Sequence, residues 1–543
     1  MALDLVQIAV FCAIVTATVP LLGGYMARVY RDERVFLTPV VGPLERLTYR
    51  LIRVDPGKGQ DWRAYARSLV AFSGVSWLAL YVLLRLASDG GWDLTFNTTT
   101  SFVTNTNWQY YAGEAVMTDV AQMTGLAVQN FVSAAVGITV LLGLIRGIAS
   151  RHGDGTIGNF WQDLTRTLLY VLLPLSVVGA LFLVSQGVVQ TLGEAKDLAV
   201  GPVASQEVIK ELGTNGGGFF NVNSSHPFEN PNALTNLFEL WLILCIPAAL
   251  TYTYGRMVGS RRQGWAIFSA MGVLYVGLVL VAYFAERHGT SAQELAGLTG
   301  ANMEGKEQRF STAMTALWTV TTTVTSCGAV NGAMESLTAL GGSVPTFGMG
   351  LSEVVFGGVG SGLYVMLLFV ILAVFLGGLM VGRTPEYLGK KIEARDVRLT
   401  AIGALWTALI VLVFAALAVG TKYGGPSIYA SGPQGFSESL YAYLSQANNN
   451  GSAVAGYTGT TFADLAGGGA MLLGRFVPML AVLAVAGSLA RKRVAPAGLG
   501  TMRTDTPTFV VLLLGTVLLV GLLTLVPALL LGPIVQSLTT SLF

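Results

Sequence analysis

Charge is what this sequence has least of. Lysine, arginine, aspartate and glutamate make up 11% of its 543 residues, where soluble domains carry about 25%, which excludes an ordinary soluble enzyme or scaffold. Formal net charge is only +2, so total charge points to no nucleic acid and no acidic partner. Cys12, Cys245 and Cys327 lie in or near apolar segments without pairable or metal-type spacing, and no disulfide framework is expected. Histidine is as scarce. His152, His226 and His288 fall in loops or at span ends and are expected to be solvated and without a role. There is no G-x-x-x-x-G-K-[ST] phosphate loop, no DKTGT aspartyl-phosphate segment and no soluble stretch long enough to house a nucleotide. Catalysis on this chain is therefore not expected; if ATP drives its work, another polypeptide hydrolyses it.

What is abundant is apolar length. Hydrophobic residues make up 53% of the chain and mean hydropathy is +0.61. Ten stretches approach the roughly 20 residues that a helix needs to cross a hydrocarbon core: 5–28, 64–86, 122–148, 165–187, 233–255, 264–285, 361–382, 399–420, 468–490 and 508–533. The beginning, MALDLVQIAVFCAIVTATVPLLGGYM, lacks a basic n-region and is too long for a cleaved signal, so it reads as a retained first span. Five connecting segments are basic: RVYRDERVF, RGIASRHGDG, GRMVGSRRQG, GRTPEYLGKKIEARDVR and RKRVAP. Lysine and arginine accumulate in cytoplasmic loops, which puts these five on one face and both termini on the outer side.

The outer segments are of another kind. NTTTSFVTNTNWQYY, SQEVIKELGTNGGGFFNVNSS, TAMTALWTVTTTVTSCGAVNG and FSESLYAYLSQANNNGSAVAG are rich in Asn, Thr, Ser and Gly. Each opens on a stretch suited to half a helix and lies between two spans. With Asn107, Gly216, Gly328 and Gly451 as equivalent points the steps are 109, 112 and 123 residues, an internal repeat on the scale of a fold. The reading is an all-α polytopic membrane protein of about ten transmembrane helices, with four fused span-pore-span repeats in pseudo-fourfold arrangement and one extra span at each end. Its parts are an N-terminal span at 1–30, repeats at 60–150, 160–258, 262–385 and 397–493, and a C-terminal span at 505–535. Taken singly, each polar cluster is what an ordinary turn looks like; four at repeat spacing are not. Asn97 and Asn223 also begin N-x-[ST] triplets, a pattern of low specificity.

Irregular backbone at membrane depth survives only where protein buries it or where it lines a watery cavity. Four such segments about one axis would direct peptide carbonyls inward to replace the hydration shell of a cation. Glycine tolerates the backbone angles this needs, and the negative C-terminal ends of the preceding half-helices favour a cation. Hard divalent ions usually demand several carboxylates, and TNTN, TNGG, TSCG and NNNG contain none. Neutral oxygens suit a monovalent ion, potassium before sodium.

These segments, with GTNGGGFFNVNSSHPFENP, FGGVGSGLY and GRFVPML, resemble the channel-like A subunit of the Kdp potassium-importing P-type ATPase, nearly end to end, including the two extra spans. The resemblance implies the superfamily of potassium transporters and a location in the cell (inner) membrane. It implies capture of K+ from the outer side and its passage through an intramembrane tunnel to the ATP-hydrolysing B subunit. A C subunit and a small single-span peptide would complete the complex. The filter it implies is Asn105, Thr106 and Asn107, then Thr214, Asn215 and Gly216, then Ser326, Cys327 and Gly328, then Asn449, Asn450 and Gly451. Asn107 stands where the other repeats carry glycine, so the ring is unequal. Gln109 matches a position associated with potassium affinity. At Cys327 the peptide oxygen is read as the ligand and the thiol as a small apolar filler. Arg475, in an otherwise apolar span, matches an arginine beneath the filter that closes the cytoplasmic exit; its bland alternative is an arginine snorkelling to the interface. LGGSVPTFGMGLSEVVFGGVGSG resembles the interrupted helix and loop that obstruct the same exit, and its Glu353 is a candidate partner for Arg475. The alternative function is an autonomous potassium channel or cation symporter of the same superfamily, and a third is a purely structural subunit.

Overall fold

The computed structural model describes residues 1–151, 153–192, 200–289, 291–297, 299–496 and 501–538; His152 lies outside them. Ten helices among these residues are long and apolar enough to cross a membrane: Ala2–Tyr30, Trp62–Ala87, Ala121–Ala149, Phe160–Ser185, Ala233–Met257, Arg261–His288, Gly358–Met380, Ala394–Gly420, Thr461–Ala490 and Pro507–Ile534. Every expected span is present. The largest shift is at Thr461, seven residues before the expected start, where Thr460 caps the helix by accepting from Ala463 N–H. Similar caps start other spans: Asp61 accepts from Ala64 N–H, and Asn232 forms a capping box with Thr235. Such caps satisfy backbone donors that a helix start leaves unpaired. Pro20, Pro247 and Pro478 sit inside spans, where neighbouring helices compensate the lost bond.

Burial separates the spans into two shells. The second span of each repeat has 83%, 72%, 72% and 67% of its most apolar window buried, against 22%, 39%, 44% and 44% for the first. Each repeat thus contributes one inner and one outer helix. Two observations show where the extra spans sit. Thr253 on the inner span of repeat two donates to Gly23 O of the first helix at 3.0 Å. The last helix packs Gly521 and Leu525 against Leu351 and Gly350.

Between outer and inner span each repeat inserts a half-helix: Trp92–Val103, Val203–Leu212, Thr312–Val324 and Gly432–Ala447. The third repeat departs from the others, since its helix Ala339–Gly350 stops and left-handed residues at Ser352, Glu353 and Phe356 lead to the span from Gly358. This is the interrupted helix expected from the glycine-rich stretch.

Two elements at the basic end were not expected. One is an amphipathic helix, Thr38–Leu51. The other is a two-stranded antiparallel hairpin pairing Glu386–Tyr387 with Lys390–Lys391. Lys390 is buried and donates to Gly147 O, Leu489 O and Lys492 O at 3.1, 2.6 and 3.2 Å, so one ammonium closes the ends of two inner spans.

Candidate functional site

Each half-helix ends two residues before its polar strand: Val103 before Asn105, Leu212 before Thr214, Val324 before Ser326 and Ala447 before Asn449. All four strands then adopt one unusual backbone. Left-handed residues occupy the first and third positions: Asn105 and Asn107 (φ 67° and 58°), Thr214 and Gly216 (44° and 92°), Ser326 and Gly328 (58° and 83°), Asn449 and Gly451 (62° and 99°). Only glycine enters this region freely, with asparagine the next most tolerant. That explains why asparagine or glycine stands at six of the eight positions.

The strands close a ring. A Cβ on Gly216 would meet Cys327 O and Gly328, one on Gly328 would meet Asn450 O and Gly451, and one on Gly451 would meet Thr106 O and Asn107. Asn105 Nδ2 joins the first strand to the second, donating to Thr214 O at 3.0 Å. Ser326 Oγ donates to Asn449 O at 3.0 Å and Asn449 Nδ2 to Thr106 Oγ1 at 2.9 Å. Every neighbour pair, one to two, two to three, three to four and four to one, is therefore in contact. All twelve strand residues named from the sequence are brought together here and are almost wholly buried.

The asparagine side chains hold the ring from behind. Asn107 reaches Asn130 on the inner span of its own repeat, which is why an asparagine fits where the other repeats need glycine. Asn450 Nδ2 donates to Thr322 O and Thr323 O at 3.0 and 3.2 Å, at the end of the neighbouring half-helix. Trp318 Nε1 donates to Ala329 O at 2.8 Å. Gln109 stands at the seam of strands one and two, with Oε1 accepting from Gly218 N–H at 3.0 Å and Nε2 donating to the Tyr111 hydroxyl at 3.2 Å. Its amide is thus engaged with the scaffold.

Beneath the ring lies the glycine-rich loop. Val359 N–H donates to Thr214 Oγ1 at 2.9 Å, Gly358 faces Ser326, and a Cβ on Gly137 of the first inner span would sit 2.6 Å from Val359 O. Glu353 and Arg475 face one cavity of about 30 Å³ together with Ser361, Tyr364, Asn448 and Asn449. Arg475 is 5% exposed, so it does not snorkel. It makes no ion pair within 4.0 Å among the described residues, with Glu353 or any other carboxylate.

Behind strands two and three is a network that the sequence reading missed. Lys210 Nζ lies 2.6 Å from Glu207 and 2.8 Å from Glu229, and Glu229 accepts from Phe220 N–H at 2.8 Å. Ser224 Oγ donates to Glu207 and Glu211 at 2.6 and 3.1 Å. The Cys327 thiol donates to Glu211 at 3.2 Å, which corrects its reading as an apolar filler. The signal was present in QEVIKELG, since ionisable residues in a membrane-embedded half-helix need partners. Asn97 is 1% exposed and donates to Asp464 O at 2.9 Å, so it is no glycosylation site. His226 is not freely solvated either: it stacks on Phe220 at 3.9 Å and its Nδ1 accepts from Phe228 N–H. Burial lowers its pKa from the ordinary value.

Comparison with known proteins identifies the family. The sequence model of the family described as potassium-transporting ATPase A subunit matches residues 9–538. A relative from Methylobacterium radiotolerans, named potassium-transporting ATPase potassium-binding subunit, is 52% identical, with 98% of this chain and 97% of the relative covered. One of the same name from Koribacter versatilis is 50% identical, with 98% of each covered. Among solved structures, the potassium transporter TrkH from Vibrio parahaemolyticus aligns with a TM-score of 0.49 at 16% identity, over 72% of this chain and 77% of that one. A family match over nearly the whole length, with relatives at half identity, leaves one conclusion: the chain belongs to the family of potassium-transporting ATPase A subunits.

Proposed function

We propose that this chain is the potassium-binding, channel-like subunit of an ATP-driven potassium import complex. The observation that carries the reading is the closed ring of four strands, each with left-handed residues at its first and third positions. Such alternation turns successive peptide planes so that carbonyls share one side, and a ring of carbonyls replaces the water around a dehydrated cation. The four half-helix C-termini, two residues away, add partial negative charge. Ligands in this reading are the backbone oxygens of Asn105, Thr106, Asn107, Thr214, Asn215, Gly216, Ser326, Cys327, Gly328, Asn449, Asn450 and Gly451. Gln109 sets the spacing of strands one and two through Gly218 rather than touching the ion.

The glycine-rich loop, Glu353 and Arg475 would close the direct route to the cytoplasm. An arginine under the ring with no ion pair among the described residues repels a cation coming down the axis, and the ion leaves sideways through an intramembrane tunnel to a B subunit that hydrolyses ATP. A C subunit and a small single-span subunit complete the assembly. The complex sits in the cell (inner) membrane with both termini of this chain outside, as the basic loops suggest, and the repeats occupy 60–150, 160–258, 262–385 and 397–493.

The test is purification of this chain from its native membrane. Co-isolation of a phosphorylatable subunit and K+-stimulated ATP hydrolysis are expected. K+ flux through vesicles holding this chain alone would instead establish the autonomous channel.

A further inference from the structure

The helix Thr38–Leu51 is built inside out. Its inward face carries polar groups: Glu45 accepts from Arg166 Nε at 2.8 Å, from the Tyr170 hydroxyl at 2.7 Å and from Tyr49 at 2.9 Å. Glu45 and Tyr49 are 9% and 8% exposed. The opposite face is apolar and open, with Val40, Leu44, Leu47 and Leu51 exposed by 77%, 46%, 49% and 74%. Spaced four, three and four residues apart, these form one stripe on a 3.6-residue helix. Arg46 and Arg50 run beside the stripe, each one residue after an inward-facing position, and Arg34 and Arg53 flank its ends. All four arginines are exposed, and among the described residues none has a carboxylate within 4.0 Å.

The position of the helix decides what covers this face. It connects the end of the first span at Tyr30 to the start of the second at Trp62, and both spans present open apolar side chains such as Leu21, Val75 and Leu78. The stripe therefore lies on a segment that joins the ends of two spans whose own apolar side chains are open. Just before the helix, exposed Phe36 sits against Tyr25 with centroids 5.5 Å apart, an aromatic placement suited to the headgroup level.

We infer that this helix is an interfacial anchor that lies in the cytoplasmic leaflet and gathers anionic phospholipid. Its valine and leucines enter the acyl boundary while Arg46, Arg50 and the flanking arginines bind headgroup phosphates. A helix with an apolar face and a basic border binds membranes through both terms, and basic residues at the surface enrich anionic lipid. Through Glu45 the anchor is tied to Arg166, which also pairs with Asp32, so the headgroup layer is joined to the outer span of repeat two. The choice of leaflet rests on the orientation proposed above; contact with lipid does not.

The test uses the whole complex in vesicles of phosphatidylcholine and phosphatidylglycerol, with Cys12→Ala combined with Val40→Cys or, in the neighbouring loop, Lys58→Cys. A fluorophore on either cysteine is quenched by lipids bearing a nitroxide. Quenching at position 40 by shallow acyl nitroxides is expected to be several-fold that at position 58. It should be several-fold stronger when the nitroxide rides on phosphatidylglycerol. Arg46→Gln with Arg50→Gln should bring that preference to unity while position 40 stays in lipid. Absent lipid quenching at position 40, meaning water or a protein partner covers the stripe, overturns the inference, and so does equal quenching by both lipids in the unsubstituted helix. K+-stimulated ATP hydrolysis is read on the same vesicles; its absence with quenching intact counts against the proposed function alone. A membrane-impermeant thiol reagent on Lys58→Cys reports the leaflet separately.

Discussion

Gly328 carries two constraints at once, a φ of 83° and the backbone of Asn450 and Gly451 where a Cβ would go. A left-handed non-glycine residue costs roughly 1–2 kcal/mol, and backbone cannot yield as a flexible side chain can. Gly328→Ala is therefore expected to weaken apparent K+ affinity by at least about tenfold, the equivalent of 1.4 kcal/mol, read from the K+ dependence of ATP hydrolysis. Gln109→Arg should also weaken K+ dependence while the complex still assembles, because it removes the acceptor for Gly218 N–H at a strand seam. Unchanged dependence would take Gln109 out of the site. His226 gives a pH effect with a definite sign. Its folded pKa lies below the ordinary value of 6.5, so the unfolded chain binds the proton more readily. Its stabilising contribution is complete above pH 6.5 and is lost as pH falls through the folded value, because a protonated Nδ1 cannot accept from Phe228 N–H. Thermal unfolding of wild type and His226→Gln between pH 5 and 7 should differ in slope, with stability rising more with pH in the former.

Among the elements, the half-helix Val203–Leu212 and the loop before Gly358 bear most on transport. Lys210 is the one ammonium within ion-pair distance of Glu207 and Glu229 among the described residues, and all three are buried. Lys210→Met strands those carboxylates, a change that costs about 3–5 kcal/mol when a buried pair is broken. A large fall in the melting temperature of the complex is expected, and a shift of a degree or less would show that the network does not brace strands two and three. Arg475, on the inner span of repeat four, makes a different prediction, since it faces the cavity under the ring and makes no ion pair among the described residues. Arg475→Gln is expected to raise passive Rb+ leak through vesicles without ATP while the complex remains assembled. A merely structural arginine would lower assembly and leave the leak unchanged.

For the molecule as a whole, the division into outer and inner spans determines which surfaces meet lipid and which line the axis. The least buried long helices are the first, the last and the outer span of repeat one, at 22%, 33% and 22% of their apolar windows. These face lipid or a partner subunit. Among the described residues the third repeat alone breaks its inner span, and the last helix packs directly on that break. The arrangement ties the C-terminal span to the proposed gate. Shortening the chain before Pro507 is expected to preserve membrane insertion of the repeats but to raise the same Rb+ leak.

Composition and spacing were enough to identify ten spans, four half-helices, the polar strands and the repeat, because crossing a bilayer demands long uncharged runs and a fourfold duplication leaves the same order in each copy. They did not reveal the partners. Whether Cys327 is filler or donor depended on Glu211, 116 residues earlier, and whether Asn107 breaks the ring depended on Asn130 behind it. The burial of Arg475 under the ring without an ion pair among the described residues, the capped helix ends under Lys390 and the inverted faces of Thr38–Leu51 likewise exist only once distant segments are packed. Membrane insertion is governed by local hydropathy, which a sequence displays residue by residue. The direction of a buried polar group is settled by whichever acceptor the fold brings within hydrogen-bond reach, and that only tertiary structure decided.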